Sequence, residues 1–219
     1  IKKRTDFGLY LDGGEDVGNI LLPTRYVTAD MQIGEEIEVF LYLDQEERLI
    51  ATTEHPVAKV GEFAYLEVAW TNEYGAFLKW GLMKDLFCPS REQKQRMERG
   101  KSYIVYIKFD EDSYRLMATA KVEKQLSTPT AEELPSLTHG TLVDVLVWQK
   151  TDLGFKVIVN NKFQGQIYDN QIFQPLHSGM KLKAYVDHVR QDGKIDIGLQ
   201  QRGRPHTLAF AEELLRYLY

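Results

Sequence analysis

Apolar and polar positions alternate along the chain in short bursts, cut by glycine, proline and acidic turns. Such bursts are the signature of half-buried strands. The plainest is Ile37-Glu38-Val39-Phe40-Leu41-Tyr42-Leu43, which follows Gly34 and runs into a charged turn, Asp44 to Glu47. Strands are predicted over residues 7–11, 19–23, 37–43 and 48–53, then 62–71, 75–80, 85–89, 103–110 and 115–121. A last set covers residues 142–150, 154–160, 165–169, 180–190 and 194–199. Residues 90–97 are polar and helix-compatible, a connection before Gly100, and Asp192-Gly193 is a hairpin signal. Past Pro205 the period changes. Leu208, Phe210, Ala211, Leu214, Leu215 and Leu218 recur at helical spacing, which predicts a helix over 205–219.

One short pattern organises these strands because it occurs three times. Thr5-Asp6-Phe7-Gly8-Leu9-Tyr10-Leu11 returns as Asn72-Glu73-Tyr74-Gly75-Ala76-Phe77-Leu78 and as Thr151-Asp152-Leu153-Gly154-Phe155-Lys156-Val157. A second glycine follows each central one, at Gly34, Gly100 and Gly179, and a basic residue follows that, at Arg48, Arg115 and Lys194. Gly61 and Gly140 each stand 14 residues before a central glycine. Landmarks kept in one order at one spacing define an internal repeat. The chain therefore reads as three units, over 1–54, 60–122 and 139–202, with a proline-containing linker over 123–138. Only seven residues precede Gly8, so the first strand of the first unit is expected to be mostly missing, unless it lies in residues before Ile1. Five strands with a connection after the third is the strand order of the OB-fold, a Greek-key barrel. The expected fold class is all-β: three tandem five-stranded barrels followed by a C-terminal helix.

Composition narrows the function classes. A hydrophobic fraction of 43% and a charged fraction of 27% are ordinary for a globular protein. No apolar run has the length of a membrane span, nothing has the form of a secretory leader, and a cytoplasmic protein is expected. The one cysteine, Cys88, leaves no internal disulfide framework and no cysteine-rich zinc site. It reads as a buried thiol on a strand. Charge is uneven. Residues 1–54 hold 5 Lys and Arg against 12 Asp and Glu, residues 55–136 hold 12 against 12, and residues 137–219 hold 10 against 8. An acidic first unit repels polyanions and suits a basic protein partner, so nucleic-acid binding is expected towards the C-terminal end.

The run from an opening glycine through Phe-Gly-x-aromatic, a second glycine, an acidic turn and a basic-hydrophobic strand resembles the S1 RNA-binding domain. Three such units before an apolar helix resemble the conserved virulence factor B family of bacterial RNA-binding regulators. The resemblance rests also on Ile20-Leu21-Leu22-Pro23 and on Val147-Trp148-Gln149-Lys150-Thr151-Asp152-Leu153-Gly154. It implies that the helix opens a winged-helix domain. It further implies single-stranded RNA as partner, with bases stacked on aromatics beside the central glycine and on the third strand, and phosphates tracked by cations. Carried across, the first unit offers Phe7 and Tyr10, with Leu21 on the third strand. The second offers Tyr74, Phe77 and Phe87. The third keeps Tyr168 on its third strand, while Leu153 and Lys156 replace its flanking aromatics. The strand-five cations are Arg48, Arg115 and Lys194, and Lys150, Lys156, Lys162, Lys183, Arg190 and Lys194 enrich the third unit in positive charge. Aromatics thus favour the second unit and charge the third.

Plainer readings stand beside these. Phe7, Tyr10 and Phe77 fit a barrel core as well as a platform, because neighbours on a strand face opposite ways. Arg91 to Lys101 reads as a solvated, charged helix face. Trp70, Trp80 and Trp148 read as core. The five histidines lack metal-ligand spacing, the acidic turn Asp110-Glu111-Asp112 has no identifiable partner ligand, and no cofactor is expected. No phosphate loop, nucleophile elbow or paired-histidine motif is present. The functions left are a non-catalytic RNA-binding regulator, a protein-interaction scaffold, and an RNA-delivering accessory of a ribonuclease.

Overall fold

Alternating sequences this short form stable sheets only by pairing with one another, and in this chain they do so in fives. A computed structural model of the chain describes residues 1–44, 46, 48–111 and 115–200. The first sheet contains β1 (Lys3–Thr5), β2 (Gly8–Asp12), β3 (Asn19–Pro23), β4 (Phe40–Leu43) and β5 (Leu49–Thr52), in the order β1-β2-β3-β5-β4. The second contains β6 (Phe63–Thr71), β7 (Gly75–Leu78), β8 (Leu86–Pro89), β9 (Ser102–Asp110) and β10 (Arg115–Thr119), and closes into a barrel. The third, also a closed barrel, contains β11 (Leu142–Thr151), β12 (Gly154–Val159), β13 (Phe163–Tyr168), β14 (Lys181–Val189) and β15 (Ile195–Gly198). In each, the third strand pairs parallel with the fifth and the other neighbours are antiparallel. That is the OB-fold order three times over.

The central glycines exist because the second and third strands cross at close quarters there. A Cβ on Gly8 would lie 2.0 Å from the Leu22 carbonyl oxygen, on Gly75 2.3 Å from that of Cys88, and on Gly154 2.0 Å from that of Ile167. No side chain fits. The polar residue three places earlier ties the same turn. Thr5 and Thr151 donate Oγ1–H to the carbonyls of Gly8 and Gly154, and the Asn72 side-chain oxygen accepts the N–H groups of Tyr74 and Gly75.

The first sheet is not a closed barrel, and its outer edge can be followed bond by bond. In the closed barrels, Val68 and Val147 exchange backbone hydrogen bonds with the segment around the second glycine. Ile1 holds the matching position: its ammonium donates to the Glu35 carbonyl at 2.6 Å, and its own carbonyl accepts from Gly34. In the second barrel the half-strand Phe63–Glu67 pairs with β9. The predicted strand over 37–43 is Phe40–Leu43 in the structure, and Ile37 and Val39 pack on the sheet's core.

Residues 90–97 do not form a helix. A 3-10 turn, Ser90–Glu92, follows β8, as Thr24–Tyr26 follows β3 and Asp169–Gln171 follows β13. Beyond it the Gln93 amide bonds the Cys88 carbonyl and the Met97 N–H, which replaces helical hydrogen bonding with a side-chain brace. The charged stretch Arg91 to Lys101 is accordingly an exposed loop, anchored by buried Met97. The helix predicted over 205–219 lies outside the described residues.

The described chain divides into two units, Ile1–Ala120 and the part from Lys121 onwards. Within the first, the short connection between sheet and barrel is fastened from both sides. Glu54 Oε2 accepts the Tyr26 hydroxyl at 3.2 Å and the Met83 N–H at 2.9 Å, and Phe40 meets Trp80 edge-on. Within the second unit, the segment before the barrel runs along it. Ser127 pairs with Phe163, Glu133 with Lys162, and Leu137 joins the barrel core. Each sheet encloses its own apolar cluster. Among the described residues no helix is long and apolar enough to cross a membrane.

Candidate nucleic-acid interface

Side chains that face one way on neighbouring strands form rows, and register says which residues share a row. The row through the residue two places after the central glycine has three versions. In the first sheet it is Lys3–Tyr10–Leu21, in the second barrel Trp70–Phe77–Phe87, and in the third Gln149–Lys156–Gln166. The fifth strand extends each row through Ile50, Met117 and Asp196. Tyr168 does not stand in this row. It pairs with Gly154, in register with Pro23 and Pro89, and the third-strand position of Leu21 and Phe87 belongs to Gln166. A one-strand count cannot detect a shift of two, which leaves a side chain on the same face.

The second barrel turns its row into an aromatic ladder. The Trp70 and Phe77 rings lie flat on each other, 3.7 Å apart with planes 5° from parallel, and Phe87 leans on Phe77 at 4.9 Å. Trp70 was expected in the core, and it is 44% exposed, whereas Trp80 and Trp148 are buried at 4% and 8%. The cause is a bulge between Val68 and Trp70, which puts Trp70 opposite Phe77 on the outer face. Its indole N–H donates to Asp85 at 3.2 Å. Phe77 and Phe87 are half-buried.

The residue just before each central glycine points outward: Phe7 is 75% exposed, Tyr74 68% and Leu153 66%. Tyr74 is held on a fixed backbone, since its N–H is accepted by Asn72 and its carbonyl accepts both the N–H and the hydroxyl of Ser90. Tyr10 is half-buried, with the Lys3 ammonium 4.7 Å above its ring.

The cations are more engaged than their count suggests. Arg48 holds Asp44 at 2.8 Å and Glu46 at 2.9 Å. Its hydrogen bond with Asp44 raises its own affinity for a proton. Burial works against the Asp44 charge, yet the Arg48 backbone N–H and guanidinium keep that carboxyl below its usual range. In the third barrel Lys162 pairs with Glu133, Lys183 with Asp144, and Lys194 with Asp192. Arg190 binds Asp196 and donates to the Tyr168 hydroxyl, and the bond to Asp196 raises its proton affinity. Lys150 and Lys156 stand over rings instead, those of Phe155 and Trp148. The positive balance of the third unit is therefore largely met by carboxylates at short range, and net charge overstates what it offers to a phosphate. Arg115 opens β10, two residues before Met117, which pairs with Phe87. Lys84, which no sequence pattern marked, lies near enough to feel it: burial first, and then the Arg115 charge, lower its proton affinity.

Several known proteins resemble this chain. The S1 domain family matches residues 1–54. The uncharacterized protein YitL of Bacillus subtilis (strain 168) is 27% identical over 229 residues, covering 100% of this chain and 74% of YitL. Conserved virulence factor B of Staphylococcus saprophyticus is 24% identical over 110 residues, 48% of this chain and 37% of that protein. Among solved structures, a multidomain protein with nucleic acid binding domains from Streptococcus pneumoniae TIGR4 covers 97% of this chain and 78% of its own, at TM-score 0.47 and 17% identity. With one OB topology repeated three times, the chain is similar to YitL over its whole length and to conserved virulence factor B over about half of it.

Proposed function

We propose that the chain is a nucleic-acid-binding protein without chemistry of its own. It takes single-stranded RNA on the outer faces of its second and third OB units and acts as a post-transcriptional regulator. The observation that carries this reading is the Trp70–Phe77–Phe87 ladder on the outside of a closed barrel, with exposed Tyr74 at the adjoining turn. Flat rings on an OB face are what unpaired bases stack on, whereas a duplex hides its base faces. Arg115 and Lys84 lie on the same barrel as phosphate contacts, and Lys150 and Lys156 supply them in the third. Tyr168 and Arg190 already touch each other there, and serve as a preformed pair for one nucleotide. The first sheet contributes least, because Arg48 is held by two carboxylates; Phe7 and Tyr10 are its remaining candidates.

The test is a titration of the full chain against labelled single-stranded RNA from about 50 to about 200 mM salt. Binding should weaken steeply, with a slope of about −0.7 per phosphate neutralised, and a duplex of the same sequence should compete poorly. Absence of binding at the lowest salt would sink the reading and favour a protein partner for the acidic first sheet.

A further inference from the structure

The aromatic ladder carries a sharper assignment, which rests on the nucleic-acid reading above. Phe77 sits on β7, between β6 and β8, and each flanking strand supplies a ring that covers one of its sides, Trp70 from β6 and Phe87 from β8. No base can slide onto a ring enclosed in this way. Trp70 differs. Phe77 covers one face of the indole, and β9 pairs with β6 over Phe63–Glu67, so among the described residues no strand flanks Trp70 on its other side. Its 44% exposure agrees with one covered face and one open one. Two contacts fix the ring before any ligand arrives, the flat stack on Phe77 and the bond from the indole N–H to Asp85. A large π-face held rigid and half out of water loses little entropy when a base stacks on it.

We propose that Trp70 is the base-stacking platform of the second barrel, and that Phe77, Phe87 and Asp85 are positioning residues that hold it. The ligand is an unpaired base of a single-stranded nucleic acid. The other two units have Lys3 and Gln149 in this place, so the platform is particular to the second barrel.

The test uses the full chain and a labelled single-stranded RNA oligomer of about ten nucleotides, a length within the range one or two OB units cover. Trp80 and Trp148 are buried, so quenching of intrinsic fluorescence by the oligomer reports chiefly on Trp70. Quenching is expected. Trp70→Ala should weaken binding about 5- to 100-fold. Trp70→Phe should restore most of that affinity while the quench is lost. Phe77→Leu should weaken binding less than Trp70→Ala does. Far-ultraviolet circular dichroism checks that each variant is folded. If RNA binds without quenching, and Trp70→Ala binds as the unaltered chain does, the assignment to Trp70 is overturned and the nucleic-acid reading stands. If the unaltered chain binds no RNA, both are overturned, and the exposed indole belongs to a protein contact.

Discussion

One added methyl group tests why the repeat exists at all. Gly154 has φ +136°, in the range that L side chains avoid, and its Cβ would lie 2.0 Å from the Ile167 carbonyl oxygen. Gly154→Ala should therefore cost at least the 1–3 kcal/mol or so typical of overpacking. A large drop in the urea midpoint is expected, and an unchanged midpoint would remove the steric account of the motif. A second residue-scale prediction concerns pH. Burial pushes the Tyr42 phenol up to about 12, and the neighbouring Tyr26 adds to the effect. The folded chain then keeps a proton that the unfolded chain releases near the ordinary value of 10.0. The stability this group contributes is present below that value and is lost as pH rises from about 10 towards 12. Melting temperatures measured across that window should fall less in Tyr42→Phe than in the unaltered chain.

At the scale of elements, strand length follows from the partners available. Ile37–Val39 alternates as well as any strand in the chain, yet lies outside β4, whereas Ser102–Asp110 pairs with β6 and extends over nine residues. Local pattern shows capacity, and pairing realises it. The connection at Glu54 offers an element-level test. Both hydrogen bonds fall on one oxygen, so Glu54→Gln can keep them while Glu54→Ala cannot. Removing hydrogen bonds to a charged group costs about 1.5–3 kcal/mol each when buried, and less at this partly exposed site. A fall of about 2–4 °C in melting temperature is expected for the alanine variant, with the glutamine variant close to unaltered. Equal losses in both would mean that charge, not bonding geometry, fastens the joint.

Over the whole molecule, what matters to a polyanion is which cations are already committed. In the third barrel Lys194, Arg190, Lys183 and Lys162 each have a carboxylate, and Lys150 and Lys156 stand over rings. The hydrogen bond from Lys194 also holds the Asp192 carboxyl below its usual range, the sign of a closed local pair. Neutralising Lys150 and Lys156 together should flatten the salt dependence of RNA binding by about one to two phosphates' worth. Lys194→Ala alone should change it by less. The reverse order would show that close pairs open readily for RNA and that net charge is the better guide.

The fold was legible in the chain because three copies of one glycine-centred pattern constrain each other, and each strand's period of two survives without any tertiary information. Cys88, Trp80 and Trp148 were likewise placed inside by their surroundings in sequence. The face of Trp70 was not, since a single bulge at residues 68–70 reverses which side it takes. Nor was the displacement of Tyr168 by Gln166, because two residues along a strand look alike from the chain. Pairing of cations with carboxylates, and closure of the second and third sheets into barrels, depend on groups far apart in sequence. Periodicity and steric need are local and are written in the residues. Orientation, closure and available charge arise only when distant segments meet.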